Sequence, residues 1–461
     1  MAKLANAAVS VSPETGSDST TLAVDKQHYH CVGIGCGPSN LSIASLLHGN
    51  GDVKSIFFDS KPAFSWHDGM MMGNASLQVS LFKDLVTLAD PTNKFSFISY
   101  LHSEGRLYNF LNAKFDSLLR KEFRAYLEWA ARTNENVHFD ERVLSVSFEA
   151  ERYAIETTKR RVTSDHVIVG VGTSPHLPEF VKEHMDHSNF HVSRFLHNTS
   201  PVEGKSIAVV GGGQSGAEAF LSLLSDDKAL PKRVTWVTKR ENFFPIDDSP
   251  FTNEFYTPTH SNHFFEQNAA ARSAFLSENI LSSDGISDST LKEIYQKIYA
   301  LRYLEKAPIE IELIQSRKAL NVSRQYGRWR LELGHIKTEE IEELSCDIVV
   351  WATGFKPAPT PFLGPMMHRL KKADLELKID KSYVAEWGGP PDKHLFILNS
   401  ARHQRGLADP NLSITAWRSQ VIVDKMLPKT VTAILDTTFV RWHSKPKDGA
   451  ALAAVGHVNN E

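Results

Sequence analysis

The chain has 461 residues, 41% of them hydrophobic and 23% charged, with a formal net charge of -3. That length supports two or three domains with sizeable cores, and the lack of a basic excess gives no reason to expect nucleic acid or an anionic membrane surface as a partner. Three scattered cysteines, Cys31, Cys36 and Cys346, include no C-x-x-C pair, which argues against a disulfide framework, a zinc site of their own or a dithiol oxidoreductase, and fits a reducing cytoplasm.

Residues 1–28 contain Ser, Thr, Asp and Pro but no apolar stretch long enough for a signal-peptide core, and read as a disordered leader. No run of about 18 apolar residues occurs, so no membrane-spanning helix is expected. His30-Cys-Val-Gly-Ile-Gly reads as a buried strand entering a glycine turn, Gly33-Ile-Gly35-Cys-Gly37-Pro38. Asn40 to Leu47 then carries the apolar spacing of a helix, and Val53 to Asp59 a second strand. Asp59 stands near the interval of about 20 residues at which a carboxylate meets an adenosine ribose, so the unit suits FAD or NAD. Pro38 takes the place of the usual third glycine. At a helix start a proline fixes φ and gives up an N–H that is unpaired anyway.

Val167 to Gly172 is another apolar strand ending in small residues. From Lys205 the strand, glycine turn and helix recur with all three glycines present, Gly211, Gly213 and Gly216. The following strand, Arg233 to Thr238, ends in Lys239-Arg240 instead of an acid, and cations there favour a 2′-phosphate, hence NADPH. Residues 243–304 mix Phe, Ala, Ser and Leu at helical spacing and read as a helical insertion that closes over a substrate, with Thr290 to Tyr299 as its clearest amphipathic stretch. Asp347 to Phe355 is a further apolar strand running into Ala352-Thr353-Gly354. The tail after Met426 loses its regular pattern.

Two such turns, each between strand and helix, predict an α/β fold with two dinucleotide-binding, Rossmann-like domains and a small helical substrate cap. The expected division is a leader over 1–28, an FAD domain formed by 29–200 and 345–426, an NADPH domain over 201–344 that carries the 243–304 insertion, and a tail over 427–461.

The blocks GIGCGPSNLS at 33–42, FSWH at 64–67, LQVSLFKDLVTLADPTN at 77–93, GGGQSGAE at 211–218, FTNEFYTP at 251–258, SDGIS at 283–287, ATGF at 352–355 and GLADPNLS at 406–413 occur in one order. Together they resemble the N-hydroxylating flavoprotein monooxygenases, the lysine, ornithine and diamine N-hydroxylases of hydroxamate siderophore pathways. The resemblance implies that NADPH reduces FAD, that dioxygen adds to the reduced flavin as a C4a-hydroperoxyflavin, and that one oxygen atom passes to an unprotonated primary amine. The cofactor carries this chemistry, so no catalytic triad or metal is expected. The partner is a small-molecule amine, with dioxygen as co-substrate, and a homodimer or homotetramer is implied.

Gly33, Gly35, Gly37, Pro38 and Asn40 are expected at the FAD diphosphate, and Asp59, by its spacing, at the ribose. Within the resemblance, Trp66, His67 and Gln78 belong to the flavin-contacting segment. Thr353 and Gly354 are expected near the flavin or its linker. Gly211, Gly213, Gln214, Ser215 and Gly216 are to cradle NADPH phosphates, with Lys239 and Arg240 on the 2′-phosphate. The resemblance gives Lys83 to a substrate carboxylate at the far end of the pocket from the reacting amine, Asn253 to the amino-acid head group, and Ser413 to the neighbourhood of that amine. Ser283 to Ser287 stands where ornithine-specific members carry Asn-Tyr-Ser, which favours the lysine and diamine branch. Gln404-Arg405-Gly406 replaces a common Thr-His-Gly, with an effect expected at the flavin or pocket edge.

Two other readings stay open at this point. A Baeyer–Villiger or heteroatom-oxidising flavin monooxygenase also carries two glycine turns, but the segment from Phe190 to His197 lacks that group's glycine and Trp-Pro ending. A non-catalytic flavin redox sensor needs the nucleotide turns but neither Lys83 nor Asn253.

Overall fold

The computed structural model describes residues 27–427, apart from 74, 78, 116, 199 and 226–228, together with 438–444. Most of the residues read as leader, and most of the tail, lie outside the described residues, as does Gln78. The described chain opens with β1 (His28–Ile34), whose first residue lies inside the segment read as leader. Helix α1 (Pro38–Leu47) follows with Pro38 in its first turn and buries Leu41, Ile43, Ala44 and Leu47. Then comes β2 (Ser55–Phe58). β1 lies parallel to β2 on one side and to β3 (Arg161–Val169) on the other. Strands Val137–His138, Arg152–Thr157 and Val143–Glu149 complete the edges of this first sheet.

The second sheet is parallel throughout. Its centre is β4 (Ser206–Val210), followed by α2 (Gln214–Ser225), with β5 (Arg233–Val237) beside it. Glu310–Ile314 flanks β5, while β6 (Ile348–Trp351) pairs with β4 and with Asn189–His191. Read from sequence with the FAD domain, Ile348–Trp351 is instead a strand of the second sheet. The reason is physical: IVVW is buried on every residue, and a strand covered on both faces has the same apolar text in either parallel sheet. The return to the first sheet comes later, at β7 (Leu395–Ile397), which lies parallel to β3.

A three-stranded antiparallel sheet over Arg317–Cys346 packs Trp329, Leu331 and Leu333 against Val210 and Trp351 of the second sheet. The 243–304 region holds the helices Pro258–Glu266, Ala269–Glu278 and Asp288–Tyr299. The last long helix, α3 (Thr415–Met426), packs on α1. No helix among the described residues is long and apolar enough to cross a membrane.

Candidate functional site

Three clefts meet between the sheets. The first, about 790 Å³, lies at the C-terminal ends of β1 and β3 and is lined by the glycine turn, by Asp59, Trp66 and His67, and by Asn399 and Asn411. Gly35 has φ +88°, and a Cβ there would meet Gly170 O at 2.6 Å, so only glycine fits. Gly37 is different: a Cβ would meet nothing within 4 Å, because the position opens onto the cleft. Gly33 and Asn40 do not line the cleft. A Cβ on Gly33 would strike the Phe57 ring at 2.0 Å, so this glycine lets two strands approach. Asn40 is buried and donates to Ile34 O at 3.1 Å and Gly35 O at 2.7 Å, holding the turn from behind. Asp59 is buried too; its carboxylate accepts from Cys36 N at 2.8 Å and Lys61 N at 2.9 Å, so it braces the turn as well as lining the cleft.

The second cleft, about 650 Å³, is built at the turn after β4. Gly211, at φ +139°, would place a Cβ 2.0 Å from Ala352 O, and Gly216 one 2.2 Å from Gly211 O; both glycines are demanded by backbone contact. Gly213, Gln214 and Ser215 line the cleft, and the Gln214 amide is also bonded within the protein. Its Nε2 donates to Glu218 at 3.0 Å and Thr290 at 3.2 Å, and its Oε1 accepts from Ser287 N at 2.8 Å. Arg240 likewise braces two carbonyls, Gly212 O at 3.1 Å and Asp284 O at 2.8 Å, while Lys239 is exposed at the rim. Sequence reasoning missed Arg317, Lys318 and Arg402, which also line this cleft and come from the antiparallel sheet and the segment after β7. No local motif marks them. Thr353 and Gly354 line the second cleft and not the first, following β6 into the second sheet. His191 holds this turn: its Nδ1 accepts from Ser193 N–H at 3.2 Å, so Nε2 carries the proton and donates to Gly354 O at 3.1 Å.

A smaller cleft of about 290 Å³ joins the two, with Trp66 and His67 from the first and Ser215 from the second; Phe355 lines all three. Trp66 packs edge-on against Phe123, with centroids 5.7 Å apart. His67 has a left-handed φ of 54° and lines the first cleft and the joining one as an exposed residue. Its pKa is pushed down to about 4, first by burial and then by the positive charge of Arg120, so the imidazole is neutral at pH 7. Arg120 lines the same cleft and makes a bidentate ion pair with Glu218 on α2, at 2.9 and 2.8 Å, tying the two sheet systems together.

Lys83 Nζ donates to Ser413 Oγ at 3.1 Å. The two residues therefore share one place, whereas the resemblance set them at opposite ends of a substrate chain; a 3.1 Å contact leaves no room for both assignments. Burial lowers the Lys83 pKa, and among the described residues it has no carboxylate partner. Asn253 is not brought to this pair: it is exposed, lines none of the three clefts, and its Nδ2 donates to Asp248 O at 2.8 Å. Arg405 also departs from expectation. It is fully buried in the core, its guanidinium 4.6 Å from the Tyr383 ring centroid and 5.2 Å from that of Phe265, and not at a cleft edge.

The sequence pattern of the family described as L-lysine 6-monooxygenase/L-ornithine 5-monooxygenase matches residues 27–357. The chain is 33% identical over 423 residues to the L-lysine N6-monooxygenase of Escherichia coli, covering 91% of this chain and 99% of that protein. It belongs to this family of N-hydroxylating monooxygenases. It is also 29% identical over 415 residues to a putrescine N-hydroxylase of Acinetobacter baumannii, covering 88% of this chain and 92% of the relative. Among solved structures, the FAD-bound cadaverine monooxygenase of desferrioxamine biosynthesis from Erwinia amylovora superposes with TM-score 0.86 at 26% identity, covering 92% of this chain and all of that one. An ornithine N-hydroxylase from Kutzneria, solved with reduced FAD, NADP+ and L-ornithine, superposes with TM-score 0.80 at 27% identity, covering 87% of this chain and 99% of that one. The chain is thus a flavin-dependent N-monooxygenase of the lysine and diamine branch that uses FAD, NADPH and dioxygen.

The residues of this N-monooxygenase fit both nucleotides. Helix α1 has ten residues and starts without a side-chain cap at the first cleft, so its first N–H groups and its dipole face the place where a diphosphate would lie. The open space at Gly37 keeps that approach clear. The second cleft repeats the glycine turn and adds a cationic rim, which suits the extra phosphate of NADPH.

Proposed function

We propose that this N-monooxygenase hydroxylates the terminal primary amine of L-lysine, with FAD in the first cleft and NADPH in the second, to supply a hydroxamate siderophore pathway in the cytoplasm. FAD bound there supplies the redox chemistry that takes hydride from NADPH and activates dioxygen. The chain's own residues bind, orient and exclude water. A free alkylammonium, with a pKa near ~10.4, is no nucleophile, so the site must take the amine in its neutral form. A neutral His67 in the wall of the joining cleft adds no positive charge beside it.

The observation that carries the choice of lysine is the half-buried ammonium of Lys83, bonded to Ser413, lowered in pKa and, among the described residues, without a carboxylate partner. A substrate carboxylate satisfies it. The exposed, already bonded amide of Asn253 favours a second reading, in which the substrate is a diamine such as cadaverine or putrescine with no head group to hold.

An FAD unit built on the first sheet and an NADPH unit built on the second, with Asn189–His191 and Ile348–Trp351 counted in the latter, accounts for the strand pairing, and the helical region 243–304 serves as the substrate cap. A homodimer or homotetramer follows from the family resemblance, and the three buried free cysteines support a reducing cytoplasm. The deciding experiment measures hydroxylamine formation with FAD, NADPH and air on L-lysine, L-ornithine, putrescine and cadaverine at equal concentration. Coupled product from lysine supports the reading, product from a diamine alone moves the enzyme to the second reading, and NADPH oxidation yielding only peroxide with every amine overturns both.

A further inference from the structure

The helix that opens the first cleft is tied to the last helix of the described chain up to Leu427. Arg418, on α3, is buried, and its guanidinium is held at both ends. Nη1 donates to Asp409 O at 2.6 Å and to Asp409 Oδ1 at 3.3 Å, and Nη2 donates to Ser39 Oγ at 3.0 Å. Asp409, itself fully buried, accepts Ala401 N–H at 3.0 Å and so cannot follow the arginine if it moves. From the other side Asn399, held at a left-handed φ of 56°, donates Nδ2 to the same Ser39 Oγ at 3.0 Å.

A serine hydroxyl offers two lone pairs and one proton. Arg418 and Asn399 occupy both lone pairs, so Ser39 is left as a donor only, and among the described residues its proton has no acceptor. Ser39 lines the first cleft in the first turn of α1, beside the uncapped N–H groups. A cationic donor on its oxygen also polarises the hydroxyl and makes it a stronger donor.

We propose that Ser39 donates its hydroxyl proton to the diphosphate of FAD, and that Arg418, with Asn399, is the positioning residue that commits Ser39 to that direction. This rests on the first cleft being the FAD cleft. It joins two parts of the chain that no single motif spans: the glycine turn makes the diphosphate seat, and the C-terminal helix sets the polarity of one of its donors.

The test titrates deflavinated protein with FAD and records phosphorus NMR of the bound cofactor. Ser39→Ala is expected to weaken FAD binding roughly ten- to hundredfold, as for loss of a hydrogen bond to a charged group, and to move the diphosphate resonances. Ser39→Thr, which keeps the hydroxyl, is expected to restore most of the affinity. Arg418→Lys is expected to weaken binding in the native background and to add little to Ser39→Ala. Native-like affinity and unmoved resonances in Ser39→Ala overturn the proposal. Gly37→Val separates this from a failure of the cleft reading, because Gly37 has φ -81° and an added Cβ meets nothing within 4 Å, so the side chain enters the cleft without disturbing the fold. Loss of FAD binding in Gly37→Val beside native affinity in Ser39→Ala refutes only the role of Ser39; native affinity in both refutes the cleft assignment as well.

Discussion

Replacing Lys83 with methionine separates the two substrate readings, because lysine and cadaverine differ only by the carboxylate. The ammonium at Lys83 is desolvated and its single bond among the described residues goes to the neutral hydroxyl of Ser413, at 3.1 Å. A bound carboxylate gives it the opposite charge it lacks, and a hydrogen bond to a charged group is worth roughly 1.5–3 kcal/mol, or about ten- to 150-fold in affinity. Lys83→Met is therefore expected to raise KM for L-lysine by that factor. Cadaverine makes no such contact and brings only further positive charge, so its KM is expected to stay level or fall. The pH dependence has a definite sign: the grip on lysine needs protonated Lys83, so affinity for lysine falls as pH rises through the Lys83 pKa, which burial has lowered and a bound carboxylate raises again. The assay is coupled hydroxylamine formation by native and variant enzyme on both amines. An equal rise in KM for lysine and cadaverine would refute the reasoning, since it would mean that Lys83 supports the fold or the flavin and not the carboxylate.

Other parts of the site carry their own tests. Lys318→Ala and Lys239→Ala, at the cationic rim of the second cleft, are expected to raise KM for NADPH about tenfold and leave KM for NADH unchanged; an equal effect on both coenzymes removes them from the 2′-phosphate. Glu218→Gln leaves the Arg120 guanidinium without its carboxylate between the two sheet systems, and a loss of about 3 kcal/mol in urea unfolding of the holoenzyme is expected; a loss below about 1 kcal/mol means the pair is replaceable. His191 is 1% exposed, and burial pushes its pKa from 6.5 down to about 4. Its neutral form is needed in the fold, so this contribution is intact above pH 6.5 and is lost as pH falls from 6.5 through about 4, amounting to about 3 kcal/mol. His191→Gln should flatten the fall of unfolding free energy over that window, and parallel curves for native and variant would rule it out.

What the sequence made legible is whatever local backbone geometry dictates. Gly35 and Gly211 need positive φ, and a Cβ on either would strike a carbonyl of another strand, so only glycine is possible and the turn can be read from its spacing. Pro38 in the first turn of α1 is readable for the same reason. The assignment of Ile348–Trp351 was not readable, because a strand buried on both faces carries no mark of which sheet it joins. Nor was the role of Gln214, whose motif position suggests a phosphate while its amide is consumed by Glu218, Thr290 and Ser287. Arg405 reads as a pocket-edge residue from its neighbours in sequence, yet it fills an aromatic core formed by Phe265, Tyr383 and Trp417, residues that only the fold assembles.

The same division explains why the reaction was easier to read than the substrate. The glycine turns that line the two nucleotide-sized clefts are each built from a few consecutive residues, and those residues stay together in the text. The proposed carboxylate grip rests on a pair, Lys83 with Ser413, and the proposed diphosphate donor on another, Ser39 with Arg418, each joining the early chain to its last helical segments. Those contacts exist because the chain leaves the first sheet, builds the second, and returns at Leu395–Ile397 beside β3, which sets Asn399, Asn411 and α3 against the opening glycine turn. The first cleft is therefore lined both by the opening glycine turn and by the segment after β7. It follows that changes in the segment from Asn399 to Arg418 should alter FAD affinity and amine choice together, while changes confined to the rim of the second cleft should alter coenzyme preference alone.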